Sequence, residues 1–239
     1  MSPPNEPRPR QTPTPLIFGH RGAAGLIAEN TLPSFVRALE LGVDGVELDV
    51  RLGREHLWVM HDATLTRTTG VEGRLEDYDP LALRKLDAGA GASIPHLAEV
   101  LELIPSQVQI NIELKGPDTA GPVFELTRAL PQSQFLISSF DHQQLQHYRD
   151  LGGTARIGIL LDKWQSEILA TARRLDAWSF NLAHRITTQP RIERIHRWGY
   201  KVLVYTVNQL RSARRLQRYG VDGLFTDRPD RINRAALAD

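Results

Sequence analysis

Short apolar runs rich in branched residues alternate with longer amphipathic stretches from Leu16 onward. The apolar runs have the length of strands, and the amphipathic stretches repeat their apolar residues at helical spacing. This pattern predicts eight strands, over 16–20, 45–50, 108–115, 134–140, 155–161, 178–182, 201–207 and 223–227. It predicts helices over 31–41, 96–104, 121–130, 141–150, 164–175, 190–198, 209–219 and 229–237.

The order of these elements predicts an α/β fold. Alternating strands and helices indicate parallel strands joined by helical crossovers. Eight such units favour a closed (β/α)₈ TIM barrel, and a doubly wound open sheet is the alternative. The stretches 41–49 and 219–227 resemble each other, and in each a helix ends at a glycine just before a strand begins. Glycine suits the left-handed helix cap that such a tight turn requires.

The region 51–107 interrupts the alternation, because about fifty residues separate the second and third predicted strands, well beyond an ordinary loop. It holds a strand-like run at 57–60 and the pair His61-Asp62. We predict a small insertion between strand 2 and helix 2, belonging to one barrel domain over 16–239. An insertion there leaves the carboxyl end of a barrel strand, where barrel active sites lie. It would cover the mouth and influence the choice of substrate.

The first fifteen residues include six prolines, two arginines and one asparagine, and we predict that 1–15 form a disordered leader. They lack the apolar middle of a secretory signal. No apolar stretch reaches the length of a membrane span. We therefore expect no membrane span and a cytoplasmic location.

Composition narrows the classes of function. The 239 residues include 29 basic and 28 acidic ones, so the net charge is +1. That balance gives no field strong enough to suggest nucleic acid or an anionic membrane as a partner. The chain has no cysteine, which excludes disulfides, thiolate metal sites and cysteine nucleophiles. The oligomeric state is not predicted.

Polar clusters stand at or near the ends of four apolar runs. Successive side chains of a strand alternate between its two faces, so Glu47 projects with Asp49, and Glu113 projects with Lys115. The intervening residues on these strands are apolar. We therefore expect the clusters to meet at one rim of the barrel; their members are His20, Arg21, Glu47, Asp49, His61, Glu113 and Lys115.

Three carboxylates pointing to one place would repel each other and raise each other's pKa. A divalent cation resolves this conflict, and oxygen ligands favour Mg²⁺, Ca²⁺ or Mn²⁺ over zinc. We predict that Glu47, Asp49 and Glu113 bind one such ion. The alternative is that they only form ion pairs with the nearby cations Arg21, Arg51 and Lys115.

The remaining members of the clusters suit phosphate chemistry. Arg21 offers a fork that matches two phosphate oxygens, and Lys115 adds a compact positive charge. Cleavage of a phosphodiester requires one proton to be removed and another to be delivered, and His20 and His61 can divide that work. Both histidines belong to these clusters, whereas the other six do not.

In this order, the motifs resemble those of the glycerophosphodiester phosphodiesterase family, in particular its small cytosolic bacterial members. The resemblance covers nearly everything from Leu16 to Asn233. Its motifs are His20-Arg21-Gly22, Glu29-Asn30-Thr31, Glu47-Leu48-Asp49, His61-Asp62, Glu113-Leu114-Lys115, Ile137-Ser138-Ser139-Phe140, Val204-Tyr205-Thr206-Val207-Asn208, and Gly220-Val221-Asp222-Gly223 leading to Thr226-Asp227.

The resemblance implies a TIM barrel, one divalent metal ion on Glu47, Asp49 and Glu113, and His20 and His61 as the acid–base pair. It also implies that deacylated phospholipids, such as glycerophosphocholine and glycerophosphoethanolamine, are hydrolysed to glycerol 3-phosphate and an alcohol. Attack by the glycerol 2-hydroxyl and attack by water are both open.

Three other functions are weighed against this one. A lysophospholipase D would need an apolar groove for an acyl chain, which the insertion could supply through Leu57, Trp58 or Leu86. A non-catalytic phosphate-binding barrel could dispense with a histidine or a carboxylate, but the chain keeps all of them. A metal-dependent enzyme of the proton-abstraction type would explain the acids, but it fits the histidines and the two cations less well.

Overall fold

The computed structural model describes residues 14–238, except for the side chain of Ser133. Within this range nine strands form one sheet in the order β1-β9-β8-β7-β6-β5-β4-β2-β3, and pairing of β1 with β2 closes it. The eight strands other than β3 are parallel, which confirms the predicted TIM barrel. The strands are β1 Leu16–Gly19, β2 Gly45–Gly53, β3 His56–Val59, β4 Gln109–Leu114, β5 Phe135–Ser139, β6 Arg156–Leu161, β7 Ser179–Ala183, β8 Lys201–Tyr205 and β9 Gly223–Thr226.

Most of the helices connect one barrel strand to the next on the outside of the barrel, two short ones lie in the insertion, and the last follows the final strand. They are α1 Leu32–Glu40, α2 Thr66–Thr69, α3 Pro80–Leu83, α4 Leu97–Leu103, α5 Ala120–Thr127, α6 His142–Asp150, α7 Ile168–Arg174, α8 Gln189–Arg197, α9 Leu210–Arg218 and α10 Arg234–Ala238. Polar side chains cap several of their first turns. Thr31 accepts a hydrogen bond from the Ser34 amide at 3.4 Å, and Asp141 accepts one from the Gln143 amide at 2.9 Å.

The strand pattern determines which side chains face the helices. On β2 the apolar residues Val46, Leu48 and Val50 are fully buried in the layer between barrel and helices. Glu47 and Asp49 alternate with them and face the interior of the barrel. Burial of each such aliphatic side chain stabilises the fold by about 1.5–3 kcal/mol. A register slip of one residue would move both acids into this apolar layer, so the hydrophobic pattern also holds the acids in place.

A second, smaller apolar cluster fills the interior of the barrel below the acids. It consists of Phe18, Leu136, Leu203 and Phe225. Gly45 makes room for it, because a Cβ atom at this position would lie 2.5 Å from the ring of Phe18. Glu47 and Asp49 follow Gly45 along β2 and therefore lie nearer the carboxyl end of the barrel.

The insertion is built on an extension of β2. This strand continues to Gly53, three residues past its predicted end, because β3 turns back and pairs with it antiparallel. Beyond β3 lie α2 and α3, which the sequence did not predict. The insertion has its own apolar cluster, consisting of Trp58, Met60, Leu65, Leu75, Leu83, Ala88 and Ile94.

Two further predictions can be compared with the structure. The last helix, predicted over 229–237, begins only at Arg234. The amides of Arg231 and Ile232 instead bond back to the Arg228 carbonyl, in a turn that precedes the helix. The predicted leader, 1–15, lies outside the described residues except for Thr14 and Pro15.

Candidate active site

The carboxyl end of the barrel brings together all seven side chains predicted from the sequence. His20 and Arg21 follow β1, Glu47 and Asp49 lie on β2, and Glu113 and Lys115 lie at the end of β4. His61 comes from the insertion, just after β3. The amide of Met60 donates to the Asp49 carbonyl at 2.9 Å, and this bond holds His61 beside the barrel strand.

The three carboxylates form a compact buried cluster. One oxygen atom from each of Glu47, Asp49 and Glu113 lies within 4.8 Å of the other two. The residues are 3%, 1% and 7% exposed. Asp49 and Glu113 are direct partners in the register between β2 and β4, so the sheet itself places these two acids side by side.

Burial and mutual repulsion disfavour the charged forms of two of these carboxyl groups. Burial, followed by the charge of Asp49, raises the pKa of Glu47 to about 7 and that of Glu113 to about 8. Burial alone would also raise the pKa of Asp49, but Lys115 and Arg21 outweigh it and the pKa is lowered. Glu47 Oε1 and Asp49 Oδ1 are buried and have no hydrogen-bond partner within residues 14–238. Three carboxylates, two of which have a buried oxygen without a hydrogen bond, are suitable ligands for a hard divalent cation.

Ion pairs neutralise the cluster only in part. Lys115 Nζ lies 2.7 Å from Glu113 Oε1 and 3.4 Å from Asp49 Oδ1. Arg21 Nε lies 3.2 Å from Asp49 Oδ2. Arg51, considered as a third partner, instead donates from Nε to the His61 carbonyl at 2.8 Å. Lys115 and Arg21 therefore pair with Glu113 and Asp49, and in the ion-pair alternative only the imidazole of His20, among the described side chains, faces the third carboxylate, with Nε2 3.9 Å from Glu47 Oε2.

The turn after β1 aims Arg21 at the cluster. Arg21 and Gly22 adopt positive φ angles of 51° and 84°. Ser34 holds the turn, because its hydroxyl donates to the Arg21 carbonyl and accepts from the Ala23 amide, each at 2.9 Å. A Cβ atom on Gly22 would lie 2.5 Å from Ser34 Oγ. With the backbone held in this way, the Arg21 amide donates to Glu47 Oε2 at 2.9 Å.

His20 is held by residues that follow the last two strands of the barrel. Its Nδ1 lies 2.6 Å from Asp227 Oδ1, and Asn208 donates to the other oxygen of Asp227 at 2.6 Å. The Nδ1–H therefore donates to the carboxylate, and Nε2 lies 3.9 Å from Glu47 Oε2. Burial alone would lower the pKa of His20, but Glu47 and the hydrogen bond to Asp227 outweigh it and raise the pKa.

His61 has the same kind of partner in a different setting. Its Nδ1 lies 2.6 Å from Oδ1 of the adjacent Asp62. Arg67 donates to Asp62 Oδ2 at 2.5 Å and to both oxygens of Glu29 at 2.6 and 2.8 Å. Glu29 in turn accepts from Arg21 at 2.8 Å. Burial lowers the pKa of His61, and the nearby carboxylates offset this only in part.

Comparison with known proteins identifies the family. The model of the glycerophosphoryl diester phosphodiesterase family matches residues 20–231. The chain belongs to the glycerophosphoryl diester phosphodiesterase family. It is therefore an enzyme of the phosphoric diester hydrolase class.

Family members resemble the chain over nearly its whole length. The glycerophosphodiester phosphodiesterase of Caldanaerobacter subterraneus is 36% identical, over 91% of this chain and 96% of its own. A phosphodiesterase of Oleispira antarctica, solved with the product sn-glycerol-3-phosphate, is 29% identical, with a TM-score of 0.89 over 95% of this chain and 98% of its own. The Thermotoga maritima glycerophosphodiester phosphodiesterase is 28% identical, with a TM-score of 0.80 over 90% of this chain and 96% of its own.

Five residues that contact this phosphodiesterase site were given no role in it from the sequence. Asp227, Asn208 and Arg67 were assigned no part in the site, and Asp62 was noted only as the neighbour of His61. The fifth is Asn30, which precedes the helix predicted over 31–41 and donates to Asp49 Oδ2 at 2.9 Å. A carboxylate next to a histidine was the one available signal; the other contacts depend on the folded barrel.

The phosphodiesterase site opens onto a small cavity in the interior of the barrel. The cavity has a volume of about 20 Å³, and His20, Glu113, Leu160 and Tyr205 are among its lining residues. The rim carries Phe140, which is 44% exposed and lies with Lys115 Nζ 5.7 Å from the centre of its ring.

Among the described residues, no helix is both long and apolar enough to cross a membrane. The predicted cytoplasmic location is not tested and stays a prediction.

Proposed function

We propose that this enzyme hydrolyses glycerophosphodiesters, such as glycerophosphocholine and glycerophosphoethanolamine, to glycerol 3-phosphate and an alcohol. The observation that carries the proposal is the meeting of three buried carboxylates with two cations, beside two histidines that are each bonded to an aspartate. The bound product of the Oleispira antarctica relative supports the same class of product.

Glu47, Asp49 and Glu113 would hold one divalent ion, Mg²⁺, Ca²⁺ or Mn²⁺. Their oxygen atoms and unused buried positions support this assignment. When bound, such an ion polarises a phosphate oxygen as a Lewis acid. Its charge would also offset the burial and repulsion that raise the pKa values of Glu47 and Glu113.

Arg21 and Lys115 would bind the phosphate group. Both side chains lie at the acidic cluster, and both are largely shielded from water, with 16% and 14% of their side-chain surface exposed. With a divalent ion present, the cluster would have a small excess of positive charge, which attracts a phosphodiester monoanion. The same charge would stabilise the negative charge that develops in the transition state.

His20 and His61 would move the two protons. In each ring Nδ1–H donates to an aspartate, so the neutral ring has Nε2 free to accept a proton, and the charged ring has Nε2–H free to donate one. One histidine takes the proton of the attacking oxygen, and the other delivers a proton to the departing alkoxide. The attacking oxygen is either the glycerol 2-hydroxyl, giving a cyclic phosphate that water opens, or water itself.

The direct test is to incubate the purified enzyme with glycerophosphocholine, glycerophosphoethanolamine and lysophosphatidylcholine, and to measure glycerol 3-phosphate and the released alcohols separately. We expect equal amounts of glycerol 3-phosphate and alcohol from the first two substrates. A transient glycerol cyclic phosphate would identify attack by the 2-hydroxyl. Failure to release glycerol 3-phosphate from either deacylated diester, with divalent ion present, would overturn the proposal.

The structure does not support the lysophospholipase D alternative through the residues first considered. Trp58 is fully buried in the apolar cluster of the insertion, and Leu86 packs against that cluster. Leu57 packs against the main core. Leu57 also lines a cavity of about 490 Å³, but none of the seven site residues lines that cavity. We therefore expect lysophosphatidylcholine to be the poorest of the three substrates.

A further inference from the structure

A second cavity adjoins the site on the side of the insertion, and the mechanism above does not use it. It has a volume of about 300 Å³ and lies between the extension of β2, the turn at 74–76 and the loop that follows β4. Its charged lining residues are Arg51, Arg54, Arg74, Glu76, Lys115 and Asp118. We call it the arginine cavity. Lys115 belongs both to this cavity and to the acidic cluster, so the cavity begins where the phosphate is proposed to bind.

Four of the charged lining residues are basic and two, Glu76 and Asp118, are acidic, so the arginine cavity has an excess of positive charge. Lys115 has a carboxylate partner in Glu113, and Arg74 Nε lies 3.5 Å from Glu76 Oε2. Within residues 14–238, neither Arg51 nor Arg54 has a carboxylate oxygen within 4.0 Å. An arginine that is partly shielded from water and lacks a counterion leaves donors available for an anion.

The geometry of Arg51 makes it the key residue of this cavity. It is half-buried, and Nε donates to the His61 carbonyl at 2.8 Å, which fixes the plane of the guanidinium. Its Nη1 lies 3.2 Å from the position that a Cβ atom on Gly116 would take, so the glycine leaves the terminal nitrogen uncovered. The terminal nitrogens can therefore donate into the cavity, while Nε connects the residue to His61.

We propose that the arginine cavity binds a second phosphate group, carried by the leaving alcohol of a glycerophosphodiester. This inference rests on the proposed function. The diester phosphate would bind at Arg21 and Lys115, and the second phosphate would bind at Arg51 and Arg54. The guanidinium fork matches two oxygens of a phosphate. The cavity in the barrel interior is smaller, at about 20 Å³, and within the described part of the chain the only charged residues that line it besides His20 are the acids Glu47 and Glu113.

The proposal predicts that a leaving alcohol with a phosphate group is preferred over one with a quaternary ammonium group, such as choline. A quaternary ammonium group would meet the arginines of this cavity with like charge, whereas a phosphomonoester would be attracted. Because Arg54 is exposed, part of this attraction is screened by salt, so the preference should weaken as ionic strength rises.

The test compares two glycerophosphodiesters that differ by one terminal phosphate group, with ethylene glycol or 2-hydroxyethyl phosphate as the leaving alcohol. Both release glycerol 3-phosphate. We expect kcat/KM to be about tenfold higher for the phosphorylated substrate. Arg51→Gln and Arg54→Gln should each bring the ratio of the two kcat/KM values towards one, mainly by raising KM for the phosphorylated substrate. Arg211→Gln, on an exposed position of α9, is the matched control and should leave the ratio unchanged.

The ratio separates a binding role from a structural one. Arg51 also holds the His61 carbonyl, and loss of that contact would lower the rates of both substrates equally without altering their ratio. Arg54→Gln decides the question if Arg51→Gln fails to fold. Wild-type enzyme without a preference, or a ratio unaltered in Arg54→Gln, would overturn the subsite while leaving the proposed function intact. Failure to hydrolyse any glycerophosphodiester would overturn both.

Discussion

The barrel and the insertion each contribute one histidine to the site, and they hold it in different ways. His20 follows β1, and its aspartate partner, Asp227, lies 207 residues later in the chain. His61 follows β3, and its partner is the next residue. The side chain of His20 is 16% exposed and that of His61 is 32% exposed. The same His–Asp pair is thus built once from barrel closure and once from local chain geometry.

The two ways of holding a histidine give the two rings different electrostatic environments. His20 shares its surroundings with the buried Glu47, which favours the charged ring, and its pKa is raised. His61 follows the hairpin formed by β2 and β3 and is more exposed than His20. Its pKa is nevertheless lowered, chiefly because its ring is partly buried. An acid–base pair benefits from two groups whose environments separate their pKa values. The rigid barrel and the added hairpin provide these two environments.

The largest effect is expected from removal of either imidazole. His20→Ala and His61→Ala should each lower turnover of glycerophosphocholine by at least about 10²-fold, because each removes a proton-transfer group. A substrate with a 4-nitrophenol leaving group needs no proton donor at the leaving oxygen, so only the variant that lacks the general acid should regain activity with it. Turnover by folded variants on both substrates checks this. Unaltered turnover in either would exclude that histidine from the mechanism.

The supporting aspartates should matter less, and unequally. Asp227→Asn and Asp62→Asn should lower kcat by roughly 10- to 100-fold, as is typical when an orienting hydrogen bond is lost. We expect the larger loss for Asp227→Asn. Both oxygens of Asp227 are used, by His20 and Asn208, so an amide would face Asn208 with the wrong group. An equal or larger loss in Asp62→Asn would contradict the comparison.

Arg67 should have a smaller effect still. Its side chain is 49% exposed, and exposed ion pairs contribute at most about 1 kcal/mol, so Arg67→Ala should lower kcat by about fivefold. Arg37→Ala, which breaks the exposed pair with Glu40, is the matched control and should not alter kcat. Steady-state kinetics of the two variants test this. Identical kcat values would show that Arg67 does not help to position His61 and Arg21.

The smallest effect concerns stability in metal-free protein. Folded Glu47 and Glu113 keep their protons up to a pKa of about 7 and about 8, above the ordinary value of 4.5. Folded protein then binds more protons than unfolded protein, so the free energy of unfolding should fall as pH rises across this window, by at least about 1 kcal/mol. Asp62 in the insertion, with its pKa lowered to about 2, contributes stability that is lost only in acid.

Urea midpoints measured near pH 5 and pH 8 without divalent ions test the stability prediction. Glu113→Gln should reduce the fall, because one of the two titrating groups is gone. Added Mg²⁺ should restore stability at the higher pH. Midpoints that rise with pH in metal-free protein would show that the carboxylates are not destabilised by their burial.

The sequence predicts the barrel and the seven central groups because both depend on local patterns. Alternation on β2 separates Val46, Leu48 and Val50 from Glu47 and Asp49, and the same rule applies to β4. A barrel closes strands into a ring, so residues at the strand ends meet whatever their distance along the chain.

The other contacts of the site and the packing of the insertion depend on residues that meet only in the folded molecule. The hydrogen bond from His20 to Asp227 exists only once β9 has paired with β1. Arg67 lies in a Thr-Arg-Thr-Thr stretch that reads as a turn, and nothing local shows that it reaches Glu29. Trp58 was considered for a substrate groove, but it is a core residue of the insertion. Burial and long-range contacts of this kind cannot be read from residue spacing.

The central claim is that Glu47, Asp49 and Glu113 hold one divalent ion that the reaction requires. Titration of metal-stripped enzyme with Mn²⁺, following bound ion and release of glycerol 3-phosphate from glycerophosphocholine together, tests it most directly. We predict no turnover in the stripped enzyme, and binding and activity that saturate together at one ion per chain. Asp49→Asn should lose both. Full turnover in stripped enzyme, or unchanged binding in Asp49→Asn, would contradict the claim.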